Sequence, residues 1–107
     1  MSMVMLRAII RPEKTGEVVE SLEKAGFPAM TKMDVLGRGK QRGIQVGNTV
    51  YDELAKTMVM VVVEEKDASK AMDAIAKAAK TGNYGDGKIF VSPVETAYTI
   101  RTGEEGL

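Results

Sequence analysis

The chain contains no cysteine and no histidine. That removes thiol nucleophiles and disulfides, imidazole general bases, a phosphohistidine intermediate, and the usual soft ligands for zinc or copper. Excess charge is missing as well. Lys plus Arg and Asp plus Glu number 15 each, so no bulk field draws the protein onto a nucleic-acid backbone or an anionic membrane, and neither partner is expected. Long apolar runs are also lacking. The longest, Met58 to Val63, falls far short of the roughly 20 residues that span a bilayer and suits a buried strand instead. Met1-Ser2-Met3-Val4 holds no basic segment and Arg7 interrupts the apolar stretch that follows, so the start does not resemble a secretory signal, and a cytoplasmic location is expected.

What is present fits one domain spanning residues 1–107, long enough to bury a core without disulfides or a structural metal. Residues 3–10 alternate, Val4, Leu6, Ala8 and Ile10 on one side and Met3, Met5, Arg7 and Ile9 on the other, which predicts a strand with both faces largely covered. Pro12 suits a first helical turn, and Val18, Val19, Leu22 and Ala25 recur at helical spacing until Gly26 stops the helix. Thr31, Met33 and Val35 then alternate with Lys32 and Asp34, predicting a second strand that ends at Gly37.

From Arg38 to Asp52 the composition shifts to Gly, Lys, Arg, Gln and Asn without a sustained period, a connection well beyond the usual ~4 to 6 residues. A loop of that length in so short a chain is expected to have a function. A third strand begins near Lys56 and runs through Val59 to Val63. Asp67 is placed to cap a second helix with an apolar side of Ala68, Ala71, Met72, Ile75, Ala78 and Ala79; Gly82 closes it, and Ile89 to Ile100 gives a fourth strand.

The order β-α-β, long loop, β-α-β predicts an α+β, ferredoxin-like βαββαβ sandwich: a four-stranded antiparallel sheet with two helices on one face and the long loop between strands two and three. A shift of about 56 residues lays Lys24-Ala25-Gly26 on Lys80-Thr81-Gly82, consistent with two equivalent halves. The second sheet face has no helix to cover it and carries Met3, Met5 and Ile9, which predicts association into a closed cyclic oligomer.

Two segments are equipped for anions. In Thr81 to Lys88, Gly82, Gly85 and Gly87 let backbone N–H groups converge on a phosphate, and Lys88 adds a positive charge. The spacing of Gly82, Gly87 and Lys88 imitates a Walker loop, but Ile89 replaces the Ser or Thr, and this segment leaves a helix to enter a strand. A glycine-rich turn with a hydrated lysine is the bland alternative. Gly37 to Gly43 places Arg38, Lys40 and Arg42 among three glycines, which suits an anion or simply a hydrated basic turn. Lys56 could meet a carboxylate or merely protect a strand end. Glu64, Glu65 and Asp67 read as a solvated turn, and the eight methionines as adaptable packing.

Ala8-Ile9-Ile10-Arg11-Pro12, Met30-Thr31, the Gly37–Gly43 cluster, Lys56, Thr81-Gly82, Gly85-Asp86-Gly87-Lys88-Ile89-Phe90-Val91 and Ile100-Arg101-Thr102-Gly103 together resemble the PII signal-transduction proteins over nearly the whole chain. The short loop and Tyr51-Asp52-Glu53-Leu54 are most similar to the nitrogenase-associated branch found beside nitrogen-fixation genes, especially in archaea.

The resemblance implies a non-enzymatic sensor: a homotrimer, or a trimer mixed with a PII paralogue, binding ATP or ADP in clefts between subunits. It implies that Gly85, Gly87 and Lys88 hold the phosphates, that Thr31 and Gly37 border the base, and that Arg101 reaches in from a C-terminal loop at 100–107. Lys40 stands in the place of a family Arg. Gln41 would complete the coordination of Mg²⁺ with the ATP phosphates and 2-oxoglutarate, and Lys56 would pair with the distal carboxylate of that acid. Segment 81–88 is then the nucleotide-binding loop and 38–52 a mobile signalling loop, with nitrogenase as an implied target.

Some positions depart from the family pattern. Thr99 stands where a second Arg is usual, Met60 replaces a Glu, and the loop is shorter than in enteric relatives, with Tyr51 beside Asp52 rather than at a loop tip, so uridylylation is not expected. Ile44 to Asp52 holds no Ser for a phosphoserine switch. Ordering about ten loop residues costs on the order of 10 kcal/mol, against ~8 kcal/mol for a micromolar ligand, so ligand contacts at Gln41 and Lys56 are large enough to select a loop shape. The rival readings are a PII-like regulator of a transporter or another target sensing a different small molecule, and a phosphotransferase on the same fold.

Overall fold

The computed structural model describes residues 2–39, 44–51 and 53–107. Strand β1 (Met3–Ile10) leads through a 3-10 turn at Pro12–Lys14 into α1 (Thr15–Lys24) and then β2 (Thr31–Gly37). Two short strands, β3 (Ile44–Val46) and β4 (Thr49–Tyr51), precede the long β5 (Leu54–Glu64). A 3-10 turn at Glu65–Asp67, α2 (Ala68–Ala79) and β6 (Gly87–Val94) complete the order. The main sheet runs β2-β5-β1-β6 with every pairing antiparallel. This is the expected ferredoxin-like arrangement.

Alternation sets the two faces. Val4, Leu6, Ala8 and Ile10 of β1 and Val59, Val61 and Val63 of β5 are buried, together with Val18 and Leu22 of α1 and Ala71, Ala74, Ile75 and Ala79 of α2. Both helices therefore cover the same face. Ala74 is an addition to the expected apolar side of α2, and it lies where the helices meet: the Ser21 hydroxyl donates to its carbonyl at 2.7 Å. Thr57 is the sole buried polar residue among those described.

The register places Met3, Met5, Arg7 and Ile9 beside Met58, Met60 and Val62 on one flank and Lys88, Phe90 and Ser92 on the other, all on the opposite face. Met33 and Val35 extend it onto β2. Phe90 and Met33 stay 54% and 41% exposed, so the apolar face expected from β1 spans all four strands.

Several boundaries differ from expectation. The stretch 38–52 is not free of regular structure: Ile44–Val46 pairs with Thr49–Tyr51 around Gly47-Asn48, with Gly47 at φ 60. Three-residue strands are too short to register as a period, although a Gly-Asn turn between β-branched residues was a readable hairpin signal. β5 begins at Leu54, ahead of Lys56. Asp67 lies in the 3-10 turn with helical dihedrals and makes no capping bond. Helix α2 ends at Ala79 because Lys80 turns extended; Gly82, at φ 92, serves the following turn. The fourth strand starts at Gly87 and stops at Val94, after Pro93, which lacks the N–H that would carry a ladder onward. The remaining residues fold back on themselves instead: Tyr98 bridges Glu105, and the Thr99 and Gly103 amides donate to Glu104 and Thr99 carbonyls at 2.8 Å.

Candidate functional site

The site lies at one end of the sheet, where β1 leaves and β6 enters. Ile10 pairs with Thr57 on one side and Gly87 on the other. One step further along β1, the same register brings Arg11 level with Lys56 and Asp86. Three charged side chains thus meet because three strands share a register, although 75 residues separate Arg11 from Asp86. On β2 Val35 is the residue level with Lys56, and Gly37, two residues on and opposite Leu54, lies where a Cβ would be 4.0 Å from Lys56 Cγ.

Both cations hold the turn between α2 and β6. Arg11 Nε donates to Asp86 Oδ1 at 3.1 Å and its Nη2 to the Tyr84 carbonyl at 2.7 Å, while Lys56 Nζ donates to the Gly85 carbonyl at 2.7 Å. Asp86 also accepts from the Thr81 amide at 2.8 Å, the Thr81 hydroxyl at 2.5 Å and the Gly82 amide at 2.9 Å. Those bonds hold its carboxyl well below the usual carboxylate range, the Thr81 hydroxyl first, then the backbone amides and Arg11. Burial and the neighbouring Arg11 pull the Lys56 ammonium down from its ordinary value, against weaker opposition from Glu13 and Asp86. A cleft lined by Arg11, Pro12, Glu13, Leu54, Ala55 and Lys56 opens beside the cluster.

The turn depends on glycine at two points. Gly85 and Gly87 have φ of 96 and 108, a region that side chains disfavour. At Gly87 a Cβ would sit 1.7 Å from the Ile9 carbonyl oxygen, so β1 and β6 approach as they do only because that position has none.

Of the expected site residues, Gly37, Lys56, Gly85 and Gly87 come together in one chain. Lys88 follows directly, exposed, on the open face opposite Ile9, with no ion pair among the described residues. Thr31 and Arg101 stand elsewhere. Thr31 pairs with Met60 at the far end of β2, about 20 Å along the strand from Gly37, and Arg101 sits exposed in the C-terminal fold-back. Lys40 and Gln41 lie outside the described residues. Sequence reasoning gave no role to Arg11 or Asp86. The readable signal was a lone cation just past a buried strand and a carboxylate between two glycines.

A family model described as nitrogen regulatory protein P-II matches residues 3–104. The nitrogen fixation nifHD region GlnB-like protein 1 of Methanothermobacter marburgensis is 58% identical over 105 residues, covering 98% of this chain and all of that protein. The protein of the same description from Methanococcus maripaludis is 56% identical over the same span, and a nifHD region glnB-like protein 2 from that organism is 46% identical, covering 92% of this chain and 93% of its own. Among solved structures, Arabidopsis thaliana PII bound to citrate superposes with a TM-score of 0.82 at 33% identity, over 97% of this chain and 85% of that one.

Proposed function

This chain belongs to the nitrogen regulatory protein P-II family, and from that membership and the cationic end of its sheet we propose that it is a non-enzymatic sensor of nucleotide and 2-oxoglutarate. It binds ATP or ADP between the subunits of a trimer, formed with itself or with a PII paralogue, and regulates nitrogenase or another nitrogen-metabolism target through segment 38–52. The nifHD-region naming of its relatives supports the nitrogenase link.

The observation that carries the reading is the convergence of Arg11 and Lys56 on the Gly85–Gly87 turn. Lys88 and glycine amides without side-chain obstruction form a donor set suited to a polyphosphate, presented by a turn that the two cations hold. Gly85, Gly87 and Lys88 would hold the phosphates, with Gly37 near the base and Thr31 and Arg101 joining once a neighbouring copy completes the cleft. Lys56, whose donor now rests on a backbone carbonyl, would exchange it for the distal carboxylate of 2-oxoglutarate. That Arabidopsis PII is bound to citrate, another polycarboxylate, supports a carboxylate effector.

Among the described residues no group of three His, Cys, Asp or Glu side chains is placed to hold a metal ion. Mg²⁺ would therefore arrive on the phosphates, supplying charge neutralisation there, with Gln41 as the protein's own ligand. No helix among the described residues is long and apolar enough to cross a membrane. The open sheet face, with its methionines and Phe90, is the surface through which copies would associate.

Calorimetry tests the scheme. MgATP and ADP are expected to bind at micromolar concentrations, 2-oxoglutarate only with MgATP present, and light scattering to give three times the 11.6 kDa of one chain. A stable monomer binding neither nucleotide would overturn the reading. Steady ATP turnover near one per second would favour a phosphotransferase instead.

A further inference from the structure

We propose that Arg11 and Asp86 are a positioning pair for the glycine turn: the carboxylate sets the turn's shape, and the guanidinium cancels the charge that this carboxylate would otherwise present to an incoming phosphate. The inference rests on the nucleotide reading above and adds two residues that neither touch the phosphate nor can be exchanged independently.

A carboxylate in a phosphate-binding turn is an electrostatic liability, because like charges in a partly screened site repel. Here its accepting capacity is already used. Oδ2 takes the Thr81 and Gly82 amides, and Oδ1 takes the Thr81 hydroxyl and Arg11 Nε, four donors for about four lone-pair sites. The Thr81 hydroxyl in turn accepts the Asn83 amide at 3.2 Å. The first three amides of the turn are thus drawn inward, whereas those of Tyr84 and Gly85 have no hydrogen-bond partner among the described residues and remain free for a ligand.

The cations also orient those free donors. In a trans peptide the C=O of one residue and the N–H of the next point in opposite directions. Arg11 holds the Tyr84 carbonyl, so the Gly85 N–H is turned away from the guanidinium and toward the open side of the turn. Lys56 does the same for the next peptide through the Gly85 carbonyl. The guanidinium alone reaches both the carboxylate and a carbonyl, a fork that an ammonium cannot reproduce.

The test is a double-mutant cycle read by nucleotide affinity. Arg11→Gln leaves the Asp86 charge uncompensated, so ATP binding should weaken about 20-fold, ADP less and AMP least, with the defect shrinking as salt rises. Asp86→Asn keeps one accepting oxygen, which the charged Arg11 Nε–H claims, so the NH₂ turns on the Thr81 and Gly82 amides, donor facing donor, and nucleotide binding should weaken about 10-fold. In the double variant the asparagine oxygen can keep the Thr81 and Gly82 amides while its NH₂ faces the side-chain carbonyl oxygen of the introduced glutamine, so the loss should be only about 5-fold. Losses that multiply toward about 200-fold, or an Arg11→Gln defect equal for AMP and ATP at all salt concentrations, would overturn the pair.

Hydrogen exchange separates the failure of this inference from that of the nucleotide reading. Thr81 and Gly82 amides should be protected in the wild type, exposed in Asp86→Asn and recovered in the double variant. Wild-type protein that binds no nucleotide removes the phosphate role whatever the exchange shows. Nucleotide binding with unprotected Thr81 and Gly82 amides removes the pair alone.

Discussion

Replacing Gly87 by alanine is expected to destabilise the protein by about 3 to 5 kcal/mol, combining left-handed strain with displacement of a packed strand and loss of ladder hydrogen bonds. The added carbon would lie 1.7 Å from the Ile9 oxygen, 2.8 Å from its carbonyl carbon and 3.3 Å from Ile10 Cα, all backbone atoms that cannot rotate aside. β6 must therefore move off β1 at its first residue, where Ile10 and Gly87 pair. For a domain of this size the melting temperature should fall on the order of 20 °C. Gly82→Ala is the matched control: it shares a positive φ of 92 but meets nothing within 4 Å, so only the strain remains, about 1 kcal/mol. Denaturant unfolding of the two variants checks the contrast, and equal losses would show that the close approach is not what requires glycine at 87.

Lys56→Met should remove the response to 2-oxoglutarate while leaving the fold intact. Deleting one member of a desolvated charge pair costs about 2 to 5 kcal/mol, so effector affinity in the presence of MgATP should drop at least ~30-fold, with ATP affinity altered only a few-fold. The stability change has a definite sign. Because the folded environment lowers the Lys56 pKa, holding its proton disfavours the folded state below that lowered value, and the penalty lifts as pH rises through it. Methionine escapes the penalty and forfeits the bond to the Gly85 carbonyl, so stability at neutral pH should stay within ~1 kcal/mol of the wild type. A variant that binds 2-oxoglutarate normally would assign the distal carboxylate to another group; one that no longer folds would make Lys56 structural.

Asp86 has the opposite sign. Its folded pKa is depressed, so the stability it contributes is complete above the unfolded carboxylate value near ~4 and is lost as pH falls through the folded value. The turn should therefore keep one shape from mildly acidic to mildly alkaline solution.

The main elements were legible because each carries its own periodicity. The alternation of residues 3–10 announced a strand with both faces largely covered, of which only the side of Val4, Leu6, Ala8 and Ile10 is buried within one chain, and Val18 and Leu22 announced the buried stripe of a helix. The ends were less legible, since they depend on single residues with competing uses. Gly82 was free to be a helix stop or part of a turn, and the carboxylate of Asp86 claimed it for the turn through its amide. The hairpin at 44–51 was missed because three-residue strands owe their existence to pairing with each other rather than to any period of their own. At the site, the glycines and Lys56 stood out as residue types, whereas Arg11 and Asp86 gained a role only from contact across most of the chain.

Composition and patterning by themselves determined the chemistry excluded, the βαββαβ order and the buried stripes of the two helices, because those follow from residue type and from spacing along the chain, while the family was legible through the resemblance of its motifs. Only the tertiary structure decided that Arg11, Lys56 and Asp86 share one row of the sheet, that Gly87 must lie against Ile9, and that Thr31 and Arg101 stand apart from the cluster within a single chain. Those facts arise from strand register, which couples residues far apart in sequence, and local spacing does not encode it.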